Sequence, residues 1–154
     1  MTSAHVLRYI EFFEGLKPAS LGSLGDFFHD NARFVDPFND VQGKTAIARV
    51  FEHMFSTCDE PRFSVDECVG DDVIAYLRWR FSFGRGPTRR VVNGVSRVQF
   101  GSDGLAVEHR DYWDPASELY ETLPLFGRLF RALRRHLSAP QGATPRHTNP
   151  LFHD

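Results

Sequence analysis

VIAYLRWRFSFGRGPTRRVVNGVSRVQFGSDGLAVEHRDYW, residues 73–113, is the stretch that decides the fold. Its first part sets Leu77, Trp79, Phe81 and Phe83 on one side and Tyr76, Arg78 and Arg80 on the other, the period of two that marks a strand with one buried face. Gly84, Gly86 and Pro87 then supply turn chemistry, RRVVNGVSRVQF reads as another strand, Gly101 to Gly104 as another turn, and LAVEHRDYW as a last strand. Upstream, Phe63, Val65 and Val69 alternate with Ser64, Asp66 and Cys68, which adds one more strand and completes a four-stranded meander.

The segments before the meander follow a different period. HVLRYIEFFEGL places Val6, Tyr9, Ile10, Phe13 and Leu16 along one helical stripe, and Lys17-Pro18 closes it. A second short helix is expected through Ser20, Leu21, Leu24, Phe27 and Phe28, followed by a brief strand at Phe34-Val35 that Asp36-Pro37 turns. From Thr45, the positions Ile47, Val50, Phe51, Met54 and Phe55 mark a helix that stops near Pro61. Helices gathered ahead of an antiparallel meander predict an α+β domain in which a curved sheet wraps the helices into a cone.

The chain has 154 residues, 42% of them hydrophobic and 14% aromatic, which suits one substantial core. Fifteen Phe residues supply enough ring surface to line a pocket as well as a core, and so favour a hydrophobic small-molecule ligand. A formal charge of -2 excludes a broadly basic, nucleic-acid-binding surface. Cys58 and Cys68 have neither disulfide-framework nor zinc-site spacing, no His/carboxylate set has HExxH-type spacing, and GKT at residues 43–45 lacks the glycine that a phosphate loop needs where Phe38 stands. No metal and no cofactor are expected. The absence of an apolar leader or a bilayer-length apolar run points to a cytoplasmic protein.

Strand parity selects the residues that look into the cone. The third strand of the meander offers Val92, Gly94, Ser96, Val98 and Phe100, and the last offers Val107, His109, Asp111 and Trp113. His109 and Asp111 thus interrupt an apolar face, where a charge costs several kcal/mol, roughly, unless it is partnered. They are either a satisfied structural pair or functional groups. The rings and branched residues expected to line the pocket are Phe13, Phe38, Phe51, Phe55, Trp79, Phe81, Val98 and Trp113.

RYIE at residues 8–11, VDPF at 35–38 with GKTAI at 43–47 after it, and DYW at 111–113 resemble, in order and spacing, the bacterial ketosteroid isomerases and the wider SnoaL-like and nuclear transport factor 2-like proteins. The resemblance spans about residues 5 to 120. It implies a ketosteroid-isomerase-like cone with Asp36 as general base at the pocket mouth, acting on a hydrophobic, carbonyl-containing molecule. Tyr9 takes the place of the oxyanion-stabilising tyrosine, and Ser96 stands where the isomerases carry a protonated Asp as second donor. Trp113 matches a pocket-lining Trp. The acidic Asp111 is similar in region to the catalytic Asp of SnoaL-like cyclases, while the Arg-x-Asp pattern of an epoxide hydrolase is missing from both RWRFSF and VSRVQF. Two further readings stay open: Asp36 as a plain cap of the Pro37 turn, and the whole domain as a noncatalytic binding module.

Beyond the meander, Asp114-Pro115 starts a helix that is expected to run, with a break near Pro124, to about residue 137, so that residues 1–137 form a single domain. Its stripe of Phe126, Leu129, Phe130, Leu133 and Leu137 beside Arg128, Arg131, Arg134 and Arg135 suits docking on the domain or a partner, or contact with an anionic membrane, docking being favoured. Residues 138–154 are polar, Pro-rich and expected to be disordered. The resemblance also implies a homodimer, for which the exposed face bearing Tyr76, Arg78 and Arg80 is the candidate surface.

Overall fold

The computed structural model describes residues 2–119. The elements run α1 (Ala4–Glu14), a 3-10 segment (Pro18–Asp26), β1 (Phe28–Val35), β2 (Asp40–Gln42), α2 (Lys44–Thr57), β3 (Arg62–Gly70), β4 (Ile74–Phe83), β5 (Arg90–Phe100), β6 (Ala106–Tyr112) and a short α3 (Pro115–Glu118). One six-stranded sheet, ordered β2-β1-β6-β5-β4-β3, curves round the helices without closing. This is the expected α+β arrangement. The basic stretch 125–137 and the tail 138–154 lie outside the described residues.

β3 to β6 pair antiparallel in sequence order, with Leu77 opposite Ser96 and Ser96 opposite Asp111. β1 differs from the brief strand that the sequence suggests. It is eight residues long, begins at Phe28 and pairs parallel with β6, through Phe34 with His109 and Val35 with Arg110. The segment before it is a 3-10 helix rather than an α-helix, since Gly22 and Gly25 disfavour a regular α-helix there, and Phe28 joins the sheet instead of the helix.

Two bulges adjust the parity. In β3 the register shifts between Val65 and Glu67, so Cys68 turns to the inner face opposite Leu77 and Val69 is left 70% exposed. In β6 the register shifts beside Phe100, so Ala106 faces the core where alternation placed Val107, and the inward positions of His109 and Asp111 are kept.

The core gathers Val6, Tyr9, Phe12 and Phe13 of α1, Ile47 and Phe51 of α2, and Phe28, Ala32 and Phe34 of β1 against the inner faces of β4 to β6. On the outer face Arg78 pairs with Glu67, Arg80 with Asp66 and Arg97 with Glu108, and Tyr76 stands exposed among them. No helix among the described residues is long and apolar enough to cross a membrane.

Phe28 is fully buried and opens the parallel pairing of β1 with β6, opposite Ala106. Phe28→Ala is expected to destabilise the domain by about 3–5 kcal/mol in urea unfolding.

Candidate active site

The bulge-corrected parity of β6 sends His109, Asp111 and Trp113 toward the interior. Ser96 of β5 lies directly opposite Asp111, and Trp79 of β4 lies directly opposite Gly94. Tyr9 reaches the same region from α1. These side chains form one hydrogen-bonded chain. Tyr9 Oη lies 2.8 Å from His109 Nδ1, His109 Nε2 lies 2.8 Å from Asp111 Oδ1, Ser96 Oγ donates to the same Oδ1 at 2.5 Å, and Trp79 Nε1 donates to Ser96 Oγ at 2.8 Å.

The proton positions follow from what each group can do. Burial, and then the negative charge of Asp111, push the Tyr9 phenol well above its ordinary range, so Tyr9 keeps its proton. Its hydroxyl has one partner, His109, and donates to Nδ1; Nε2 then carries the imidazole proton and donates to the carboxylate. Neutral His109 closes the chain with every donor used, whereas an imidazolium would leave the buried Tyr9 proton without an acceptor. The ring is 4% exposed and lies between Phe34, stacked at 4.9 Å, and Phe13, stacked at 5.3 Å.

Both donors to Asp111 converge on Oδ1. Among the described residues no buried side-chain nitrogen or oxygen lacks a partner, so Oδ2, which accepts from none of them, is an accessible atom. Asp111 lines a cavity of about 330 Å³.

The cavity walls are mostly rings: Phe13, Phe34, Phe51, Phe63, Trp79, Phe81 and Trp113. Val50, Met54, Leu77 and Val92 add aliphatic surface, and Asp36, Asn39, His53 and Thr57 are polar wall groups. Lys and Arg are absent from this wall among the described residues.

Asp36 lies in this wall, and its carboxylate binds the turn that follows it. Oδ1 accepts from the backbone N–H of Phe38 and of Asn39, each at 2.7 Å, and the Asn39 side-chain amide lies 3.0 Å from Oδ1 and 2.9 Å from Oδ2. Asp36 is therefore the turn cap that an Asp-Pro pair permits. It lies one residue beyond the Val35–Arg110 pair that ends the β1–β6 ladder, on the same cavity wall as Asp111. Phe38 packs edge-on against Trp113 at 5.5 Å and ties this turn to the end of β6.

Of the residues that the sequence singles out, Asp36, Ser96, His109 and Asp111 share the cavity wall with Phe13, Phe38, Phe51, Trp79, Phe81 and Trp113. Tyr9 does not reach it; only 1% exposed, it stands behind His109. Val98, opposite His109 and 0% exposed, is part of the solid core rather than the wall. Phe55 is also off the wall, because it lies about 100° round the helix from Met54. Phe34 and Phe63, which do line the cavity, escaped the sequence reading. The alternation of Phe34 with Asp36 was their available signal, hidden by the proline turn.

Among the described residues no group of three or more His, Cys, Asp or Glu side chains is placed to hold a metal ion. The arrangement offers instead a carboxylate oxygen in an apolar chamber, fixed through its other oxygen by a serine and a neutral histidine.

Comparison with known proteins gives the same architecture. A family model described as a SnoaL-like domain matches residues 8–109. No curated protein matches the sequence. Among solved structures, a hypothetical protein from Catenulispora acidiphila with a ketosteroid isomerase-like fold, in complex with trimethylamine, is 15% identical, with a TM-score of 0.64 over 77% of this chain and 92% of that one. An NTF2-like protein of unknown function from Exiguobacterium is 16% identical, with a TM-score of 0.61 over 72% and 98%. An LEH-like epoxide hydrolase from M. tuberculosis is 15% identical, with a TM-score of 0.63 over 85% and 98%. These likenesses establish the shared fold.

The buried phenol carries a pH signature. Above pH about 10 the unfolded chain releases the Tyr9 proton while the folded chain retains it, so the native state binds more protons and stability falls as pH rises. Tyr9→Phe is expected to remove that part of the decline in urea unfolding between neutral and alkaline pH. At neutral pH it is expected to cost about 1–3 kcal/mol by leaving His109 Nδ1 without a donor.

Proposed function

The chain belongs to the SnoaL-like domain family, and from that premise we propose that it is a general acid/base enzyme acting on a hydrophobic, carbonyl-containing small molecule. The observation that carries this reading is the Asp111 carboxylate in the wall of an aromatic cavity, held through Oδ1 by Ser96 and His109 while Oδ2 accepts from no side chain among the described residues. A carboxylate so placed can take a proton from a carbon next to a carbonyl and return it elsewhere on the same molecule. The apolar walls bind the carbon skeleton, exclude water and strengthen the electrostatic interactions around the transferring proton.

The other polar wall groups have roles in this reading. Asp36, the base that the resemblance implies, is the second proton carrier beside Asp111. It also holds the Asn39 amide, whose nitrogen donates to both Asp36 oxygens. Tyr9 acts through His109, fixing the tautomer that donates to Asp111, since its hydroxyl is spent on Nδ1. An epoxide-opening reading is not adopted: the inward positions of β4 and β5 carry Leu77, Trp79 and Phe81 and Gly94, Ser96 and Val98, with no Arg–Asp pair. A second copy of the chain against the outer sheet face round Tyr76 belongs to the same proposal.

A noncatalytic binding module is the second reading. One feature favours it: the inner polar chain satisfies its own donors, as a purely structural network would.

Proton exchange separates the two. With 2-tetralone in D2O, followed by NMR, the protein is expected to speed deuteration next to the carbonyl, and Asp111→Asn is expected to cut the rate by about 10²–10⁴-fold. Asp36→Asn is expected to cost less. An Asp111→Asn variant that exchanges at the wild-type rate sinks the base assignment; ketone binding with no exchange by the wild type favours the binding module.

A further inference from the structure

Trp79 and Gly94 are direct partners across β4 and β5. A side chain at Gly94 would collide with the indole: a Cβ there would stand 2.4 Å from Trp79 Cζ2, 2.5 Å from Cη2 and 3.0 Å from Cε2. Gly94 has ordinary backbone geometry, being absent from the positive-φ glycines, so its missing side chain serves close approach rather than a turn. The ring occupies the slot that Gly94 leaves, with Phe63 edge-on to it at 6.1 Å. From that slot Nε1 reaches the next inward residue of β5, Ser96.

Ser96 is 2% exposed and directly opposite Asp111. Its single hydroxyl proton is directed by what it accepts. Because the Trp79 N–H is only a donor, Ser96 Oγ receives it and turns its own proton toward Asp111 Oδ1. The carboxylate, which only accepts, draws the same proton, so what the indole adds is a second tie on Oγ that holds the Ser96 rotamer. Ser96 then holds the carboxylate from across the strands, while His109, two residues back on the same face, holds the same oxygen from along the strand.

We propose that Gly94 and Trp79 are positioning residues which, acting through Ser96, fix the rotation of the Asp111 carboxylate so that Oδ2 faces the cavity. This rests on the reading of Asp111 as the proton acceptor, and it adds residues that touch no reacting atom on their own account. The slot sets the ring, the ring holds the serine rotamer, and the serine hydroxyl holds the carboxylate. Trp79 also forms part of the cavity wall, so substrate binding and carboxylate orientation share one side chain.

Trp79→Phe keeps an aromatic ring and removes the N–H together with the rest of the indole bicycle. It and Ser96→Ala are expected to lower kcat for exchange of 2-tetralone roughly tenfold, with KM in Ser96→Ala changed by less than about threefold. Gly94→Ala, which drives the ring from its slot, is expected to lower kcat by roughly 10²-fold. Ser96→Thr, which keeps a hydroxyl, is expected to restore most of the loss seen in Ser96→Ala.

A second readout does not depend on turnover. In the wild-type protein the Trp79 indole N–H is expected to exchange slowly with solvent by ¹H–¹⁵N NMR, and in Ser96→Ala quickly. Should the wild type leave 2-tetralone unexchanged, the proposed function fails while this signal still decides the clamp. An indole N–H with equal exchange in wild type and Ser96→Ala overturns the proposal, as does wild-type kcat in Trp79→Phe. If Gly94→Ala does not fold, Trp79→Phe and the two Ser96 variants decide the matter.

Discussion

The hydrogen bond from Tyr9 to His109 is the interaction on which the interior depends. It joins α1 to β6 across 100 residues of sequence, inside a shell of Phe rings. A phenol and an imidazole each cost free energy when buried alone, and neither can turn to water here. Their pairing is what allows α1 to sit in the concave face of the sheet with a tyrosine at its centre. It also determines the chemistry of the other end of the imidazole: with Nδ1 accepting, Nε2 must donate, and the carboxylate beyond it is held. Packing and protonation are one constraint in this domain, and removing either partner disturbs both.

Much of the fold was legible because period and parity are local properties. Leu77, Trp79 and Phe81 alternate with arginines so regularly that the strand, its faces and its antiparallel neighbours follow directly. The parallel pairing of β1 with β6 was not legible. It joins residues about 75 apart, it passes through a register shift after Phe28, and its end is cut by the Asp36-Pro37 turn. Nothing in HDNARFV alternates strongly enough to reveal a strand whose neighbour lies so far along the chain. Bulges are similarly hidden. Cys68 and Val69 exchange faces because one extra residue enters β3, and no composition signal marks the place.

The site was legible to the same depth. Parity on β5 and β6 brought Ser96, His109 and Asp111 to the inner face, and all three lie in the cavity wall. What parity cannot supply is the direction of each hydrogen bond, which depends on the third and fourth members of the chain, Tyr9 and Trp79, from other elements. Tyr9 shows the difference clearly. Its place on the helix stripe makes it equally a core residue or a donor to a ligand, and the deciding fact is that His109 stands between it and the cavity. Asp36 shows the converse: a local Asp-Pro turn explains its hydrogen bonds, and only the long-range parallel pairing of β1 with β6 brings that turn to the cavity that Asp111 lines.

The distribution of donors explains why a cavity can persist in so aromatic an interior. Tyr9, His109, Ser96 and Trp79 direct their protons inward along the chain, and those of His109 and Ser96 end on one oxygen of Asp111, so the wall is stiffened from within and needs no ligand to satisfy it. Rings on both sides of His109 and Gly94 beneath Trp79 then limit how far the polar groups can shift to fill the void. The outer face of the sheet keeps its own ion pairs, Arg78 with Glu67 and Arg80 with Asp66, separate from this chain. At the rim, Asp36, Phe38 and Asn39 form a turn that packs against Trp113. The carboxylate is thus tied into the core through Oδ1, whereas the Asp36–Asn39 turn is closed by its own hydrogen bonds and joined to the end of β6 by the Phe38–Trp113 contact.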